Sequence, residues 1–147
     1  MSDKSDMKKV LINIKGMPVF AQSDEEAFEL MTDGEYTRHD GVSHFRYVEN
    51  AFLGYEEFLT TFDVEQDRVV LRRSDGVSGD MIFSENQKHH FLCDTPFGSV
   101  MLGIDTHSIV NNMNDCGGNL EIRYDIELDN IAVSKNLFTI DIKSLPQ

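Results

Sequence analysis

The sequence predicts an all-β protein, a single antiparallel up-and-down barrel of about eight to ten strands. The clearest observation is the stretch from Asn119 to Asn130, in which apolar and charged residues alternate from Leu120 to Asp129. A period of two is typical of a strand with one buried face and one solvated face. The same alternation recurs between turn-forming residues along most of the chain. Its even spacing favours a closed barrel, because closure removes unpaired edges.

The composition indicates one domain over the 147 residues, with residues 1–7 as a disordered tail. The formal net charge is −13, from 26 acidic and 13 basic residues. A negative field of this size repels phosphate backbones and anionic lipid surfaces, so neither a nucleic acid nor a membrane is expected as a partner.

The N-terminal apolar run, Val10 to Ile14, is interrupted by Asn13 and followed by Lys15. It is too short for a signal peptide or a membrane span. Without an export signal the expected location is the cytoplasm, where Cys93 and Cys116 would remain free thiols.

The first strand is predicted from Lys8 to Met17, where apolar and polar residues alternate. The next segment, Ser23 to Met31, begins like a capped helix. One apolar parity nevertheless continues from Phe28 to Arg38, which favours a long strand bent at Gly34.

A turn at His39-Asp40-Gly41 leads into a strand from Val42 to Glu49, which directs Phe45, Tyr47 and Glu49 inward. The connector after it, residues 50–56, is unusually apolar for a loop. It is expected to plug one end of the barrel or to form a dimer contact.

The clearest hairpin is centred on Gln66 and Asp67, which form a two-residue loop. Its register pairs Val64 with Val69, Phe62 with Leu71, and Thr60 with Arg73. The hairpin therefore sets Thr60 and Arg73 side by side on the inward parity.

The rest of the chain is predicted as further strands and turns. The strands are Asp80 to Ser84, His89 to Asp94, Ser99 to about Val110, Asn119 to Asn130 and Leu137 to Ile142, with turns at Asn111 to Gly118 and at Ile131 to Asn136. On the strand from Asn119, Tyr124 is expected inside and Asp125 outside, so Asp125 should tolerate substitution and Tyr124 should not.

The run from Thr95 to Thr106 resembles the central motif of the YwiB-like family. Further segments agree in order and spacing, namely Gly34 to Tyr36, Tyr47 to Glu49, Leu71 to Arg73, and Gly117 to Tyr124. The resemblance extends from about Lys8 to Ile142. It implies a small bacterial β-barrel of the calycin type, similar to lipocalins and streptavidin. It implies no activity, because the family is a domain of unknown function without assigned catalytic or binding residues.

The sequence contains no catalytic or metal-binding motif, so we expect no enzyme, no metal and no cofactor. His89 and His90 are adjacent on a strand and point to opposite faces, which makes joint ligation of one ion difficult. The other histidines, His39, His44 and His107, have no ligand spacing.

The strongest polar combination is Glu49 with Arg73, since both occupy the parity that otherwise points apolar groups inward. Buried charges are costly unless they are paired. Three interpretations remain open: a structural ion pair, a site for a polar ligand, or a bulge that changes the parity. The candidate ligand-binding residues of the barrel interior are Tyr36, Tyr47, Glu49, Thr60, Arg73 and Tyr124.

The function predicted from these features is a non-enzymatic barrel that binds a small molecule in its interior or mouth. The alternative is a protein-interaction module or homodimer that uses an outer strand or the 50–56 connector. An enzyme whose acid and base residues have no recognisable motif is the third hypothesis. The protein is expected to be a monomer or a homodimer.

Overall fold

A computed structural model describes residues 7–18, 28–50, 57–74, 80–95 and 98–145. These residues form strands and no helix. The strands are β1 (Lys8–Pro18), β2 (Phe28–His39), β3 (Val42–Asn50), β4 (Glu57–Val64), β5 (Arg68–Arg73), β6 (Met81–Ser84), β7 (Lys88–Thr95), β8 (Gly98–Asn114), β9 (Gly117–Leu128) and β10 (Ile131–Ser144).

All ten strands belong to one antiparallel sheet with the order β6-β5-β4-β3-β2-β1-β10-β9-β8-β7. From β1 to β6 and from β7 to β10 each strand pairs with its neighbour in sequence, and the pairing of β1 with β10 joins the two ends of the chain. Among the described residues no ladder joins β6 to β7. The turn between them is instead attached to β8, where Asn86 N donates to Thr106 O at 2.9 Å. The predicted up-and-down barrel is therefore confirmed, in a nearly closed form.

The core lies inside the barrel and is built from the inward parity of the strands. On β1, for example, Val10, Ile12 and Ile14 are almost completely buried. Aromatic rings from adjacent strands fill the centre, where Phe45 and Phe62 stack with their centroids 4.7 Å apart. The inward-facing apolar residues of the alternating strands thus form one continuous core.

Local turn chemistry explains the hairpin between β2 and β3. Asp40 and Gly41 have φ values of 54° and 78°. Two consecutive residues with positive φ give the turn whose twist matches that of the flanking strands. The predicted hairpin between β4 and β5 is also confirmed, with Val64 opposite Val69 and Thr60 opposite Arg73.

Of the turn predicted at Asn111 to Gly118, only Asp115 and Cys116 form a turn, and the turn predicted at Ile131 to Asn136 is wrong. Strand β8 continues through Asn114, and the Asn111 side chain is used within the structure: its amide donates to Glu65 O at 3.3 Å and its oxygen accepts from Met113 N at 3.0 Å. The segment from Ile131 to Asn136 belongs to β10. The turn before it consists of Asp129 and Asn130, both with positive φ.

A β-bulge at His107 interrupts the alternation of β8. Thr106 pairs with Tyr124 and Ser108 pairs with Arg123, which leaves His107 as an extra residue. The bulge returns Ile109 to the inner face opposite Ile122. The strict alternation of inward and outward residues is therefore broken at His107, so the sequence pattern alone does not predict which residues of β8 point inward after it.

Asp125 lies on the outward parity as predicted, yet only 7% of its surface is exposed. It is covered on the outer face by His107, whose Nε2 lies 3.1 Å from Asp125 Oδ2, and it has Lys135 Nζ at 4.0 Å. The expectation that Asp125 is an exposed surface residue is therefore wrong, and its tolerance to substitution stays a prediction.

Several predictions fall outside the described residues. They concern the tail at residues 1–6, the helix-like start of the segment from Ser23, and nearly all of the 50–56 connector. In the described part of the chain, no helix has the length and apolar character needed to cross a membrane. Cys93 and Cys116 form no disulfide.

Candidate ligand-binding site

A cavity of about 330 Å³ opens at one end of the barrel, between the inner faces of β10 and of β1 to β5. Its apolar walls are Ile14, Leu30, Phe62, Leu71 and Phe138. Its polar lining consists of Tyr47, Glu49, Thr60 and Arg73. This combination of a largely apolar wall with a few convergent polar groups is usual for small-molecule sites.

The strand register determines how the polar lining assembles. Tyr47 on β3 lies opposite Thr60 on β4, which in turn lies opposite Arg73 on β5. Because inward side chains recur at every second residue, Glu49 follows Tyr47 into the same opening. The predicted inward parity of Glu49, Thr60 and Arg73 thus brings all three to one cavity.

The charged pair lies at the rim of the cavity. Arg73 Nη2 donates to Glu49 Oε2 at 3.2 Å, and the Arg73 guanidinium carbon lies 5.0 Å from the centroid of the Phe58 ring. The side chains are 40% exposed for Arg73 and 20% for Glu49. The two residues are therefore an ion pair that solvent reaches, and the bulge interpretation does not apply.

Below the rim, Tyr47 and Thr60 provide two buried hydroxyls. Burial raises the pKa of Tyr47, as do the negative charge of Glu49 and the hydrogen bond to its carboxylate, so the phenol stays protonated. The Thr60 hydroxyl lies close enough to Tyr47 to act against that pKa shift. Among the described residues, however, nothing completes a well-formed hydrogen bond to Thr60 Oγ1.

The remaining two candidate residues lie elsewhere. Tyr36 points to the opposite end of the barrel, where its hydroxyl bonds with Ser43 Oγ at 2.9 Å and with the carbonyl of Asn114. Tyr124 packs edge-on against Phe83 with centroids 5.0 Å apart. Burial raises the pKa of both tyrosines. The structure thus brings together four of the six candidates and leaves Tyr36 and Tyr124 outside the cavity.

The family model described as a domain of unknown function (DUF1934) matches residues 12–140. The chain belongs to this family. Its fold is similar to the crystal structure of the ywiB protein from Bacillus subtilis, with a TM-score of 0.79 and 20% sequence identity over 96% of this chain and 94% of that one. A search of curated proteins finds no match. The fold of the DUF1934 barrel is thereby shared with a solved structure, while the comparisons assign no ligand.

None of the five apolar residues of the cavity in the DUF1934 barrel was among the sequence candidates. Phe62 and Leu71 were at least paired in the predicted hairpin that carries Thr60 and Arg73. The other three are Ile14, Leu30 and Phe138. Their alternation was visible, but their position depends on the pairing of β1 with β10. In that pairing Gly16 lies opposite Phe138, and Ile14 lies opposite Ile140. The first and last strands of an up-and-down barrel must pair for closure, and this rule was the available signal.

A second polar cluster lies on the outer face of the DUF1934 barrel. One carboxylate oxygen each from Asp105 and Asp125 and one ring nitrogen of His107 all lie within 4.8 Å of one another. Asp105 and Asp125 are opposite each other in the ladder, and the bulge brings His107 beside them. Lys135 also pairs with Asp125 across β9 and β10. Because this cation and His107 already lie beside the buried carboxylate, we assign no ion to the cluster.

Proposed function

We propose that this protein is a non-enzymatic barrel that binds a small amphipathic molecule in the cavity between β10 and β5. The supporting observation is Thr60, which lines the cavity, is 1% exposed and, although Tyr47 lies beside its hydroxyl, completes no well-formed hydrogen bond among the described residues. A buried polar group without a partner costs roughly 1–3 kcal/mol. A polar atom of a ligand next to Thr60 removes that cost, whereas an empty cavity retains it.

The charges of the cavity favour a ligand without net charge. Glu49 and Arg73 neutralise each other at the rim. An added unbalanced charge would lose its hydration in a largely apolar space and gain no counter-charge. The protein carries −13 overall, which further disfavours anions. We place this function in a reducing, cytoplasmic compartment, consistent with two cysteines that form no disulfide.

A thermal-shift screen tests the proposal with net-neutral molecules that have one hydrogen-bonding head and one apolar chain. We expect compounds that raise the melting temperature in a saturable manner, since a ligand stabilises the state that it binds. Thr60→Val should weaken binding of such compounds by about tenfold, the loss of roughly one hydrogen bond.

The matched control is Thr61→Val, which makes the same chemical change on the outer side of β4, one residue from the cavity. Its affinity for every hit should equal that of the wild type. Two results would contradict the proposal: no saturable stabilisation across the set, or hits that bind the Thr60→Val variant as tightly as the wild type.

A further inference from the structure

The two charged heads at the rim indicate a ligand class. We propose that the cavity takes a zwitterion with an ammonium and a carboxylate on neighbouring atoms and an apolar chain directed into the barrel, as in a free α-amino acid with a hydrophobic side chain. This inference rests on the proposed function, because it names the ligand of the same cavity.

Both heads keep capacity for further hydrogen bonds. One contact, Arg73 Nη2 to Glu49 Oε2 at 3.2 Å, joins them. A guanidinium carries five N–H donors, and a carboxylate offers about four lone-pair sites. A ligand carboxylate can therefore join Arg73 while the ligand ammonium joins Glu49, and the four charges then alternate in sign. Such alternation needs the two ligand charges to be adjacent, because the two protein charges are in direct contact.

Ligands with a single charge fit this rim less well. A carboxylate alone gains Arg73 but lies beside the negative Glu49. An amine alone gains Glu49 but lies beside the positive Arg73. An uncharged head avoids both conflicts, yet it forgoes charge-assisted hydrogen bonds, which are about twice as strong as neutral ones.

The groups below the rim fit the remainder of such a ligand. Thr60 is next to Arg73 in the ladder, so its hydroxyl lies on the side of the ligand carboxylate, to which it can donate a hydrogen bond. Deeper in the cavity, the rings of Phe62 and Phe138 stack with centroids 6.1 Å apart. They form an apolar surface against which a hydrocarbon or aromatic chain loses contact with water.

Isothermal titration calorimetry on the full-length protein tests the ligand class with four compounds that share a phenyl chain. They are L-phenylalanine, 3-phenylpropanoate, 2-phenylethylamine and 3-phenylpropan-1-ol. We expect the zwitterion to bind at least about tenfold more tightly than each of the other three. This comparison uses the wild-type chain, so it does not depend on the folding of any variant.

The outcomes separate the ligand class from the proposed function. If 3-phenylpropan-1-ol binds as tightly as L-phenylalanine, the zwitterion is wrong and the cavity remains a binding site for neutral molecules. If none of the four binds, the zwitterion is likewise wrong, and the thermal-shift screen decides separately whether the cavity binds anything.

Two variants then assign each charge to its partner. Glu49→Gln removes the carboxylate that repels 3-phenylpropanoate, so the advantage of L-phenylalanine over that compound should fall to about threefold or less. Arg73→Gln removes the guanidinium that repels 2-phenylethylamine, so the advantage of L-phenylalanine over that amine should also fall to about threefold or less. Circular dichroism checks that both variants are folded. An unchanged preference in either folded variant would contradict the assignment.

Discussion

The Thr60 hydroxyl lowers the stability of the ligand-free protein but contributes to the proposed binding. Its buried hydroxyl completes no well-formed hydrogen bond with the part of the chain that the structure describes, and valine has nearly the same shape. Thr60→Val should therefore raise the free energy of unfolding by about 1 kcal/mol, measured by urea denaturation, because a buried unsatisfied group is removed without leaving a cavity. Thr61 is partly buried on the outer face, and Thr61→Val should stay within about 0.5 kcal/mol of the wild type. A loss of stability in Thr60→Val would mean that the hydroxyl is hydrogen-bonded in the folded protein.

Arg73 illustrates how exposure changes an energetic expectation. Parity alone suggests a buried ion pair, whose disruption would cost about 3 kcal/mol or more. The structure places Arg73 at the rim with 40% of its side chain exposed. Solvent-exposed pairs contribute about 0–1 kcal/mol, so Arg73→Met should lower the free energy of unfolding by less than about 1 kcal/mol. A loss of 3 kcal/mol in the same denaturation experiment would show that solvent does not screen the pair.

At the scale of strands, Gly34 allows β2 to lie close to its neighbours. A Cβ at this position would lie 2.5 Å from Arg46 O, and closer still to Ile12 Cδ1. The carbonyl belongs to the adjacent strand, so it cannot move aside as a flexible side chain can. Gly34→Ala should therefore lower the free energy of unfolding by about 2 kcal/mol or more.

Gly103 on β8 is the matched control for Gly34, since it is also a glycine within a strand. A Cβ there would meet His90 Nε2 at 3.5 Å and Glu127 Cβ at 3.6 Å, which are ordinary contacts. Gly103→Ala should remain within about 0.5 kcal/mol of the wild type by urea denaturation. Equal effects of the two substitutions would contradict the close approach at Gly34.

Strands β3 to β5 are also connected on their outer face by Asp63, which bonds with His44 Nδ1 and Arg72 Nη1, both at 2.6 Å. Burial raises the pKa of Asp63, but the hydrogen bonds to His44 and Arg72 outweigh it, and the pKa lies below its usual value. The unfolded chain therefore binds this proton at a higher pH than the folded protein. The stabilisation is complete above about pH 4, the ordinary pKa of Asp, and is lost as the pH falls through the lowered pKa.

Asp63→Asn removes this titration. Its free energy of unfolding should fall less between about pH 5 and about pH 3 than that of the wild type, measured by urea denaturation at each pH. Asp67→Asn makes the same charge change in the exposed turn between β4 and β5 and should keep the slope of the wild type. An Asp63→Asn variant with an unchanged acid slope would contradict the role of this carboxylate.

The sequence predicted the elements whose local pattern is complete. The hairpin between β4 and β5 was correct to the residue, because turn length and alternation agree there. The turn predicted from Asn111 was too long and the one from Ile131 was misplaced, because residue composition suggested loops where tertiary pairing extends the strands. The His107 bulge and the burial of Asp125 depend on neighbouring strands, which a single chain pattern does not encode. The cavity's polar residues on β3 to β5 followed from local hairpin register, whereas placing its β1, β2 and β10 residues also required the long-range closure of the sheet.

At the scale of the whole molecule, the barrel is held together unevenly around its circumference. The strands β1 and β10 form a continuous ladder from Val10 opposite Ser144 to Pro18 opposite Asn136. The opposite side of the barrel lies between β6 and β7, which share no ladder among the described residues. This seam is bridged at the turn, where Ile109 N also donates to Glu85 Oε2 at 2.8 Å. Opening of the barrel should therefore begin at the seam.

Amide hydrogen exchange measured by mass spectrometry tests this expectation. Peptides from β6, a strand of 4 residues paired on one side, should exchange before peptides from β9, a strand of 12 residues paired on both sides. Local opening requires less free energy where fewer ladder hydrogen bonds break, so the amides of β6 should show the lower protection. β10 is the control at the other side of the barrel, since it also pairs on both sides, and it should exchange as slowly as β9. If β6 were protected as well as β9 and β10, the barrel would open only in a global transition, and the seam between β6 and β7 would be closed in solution.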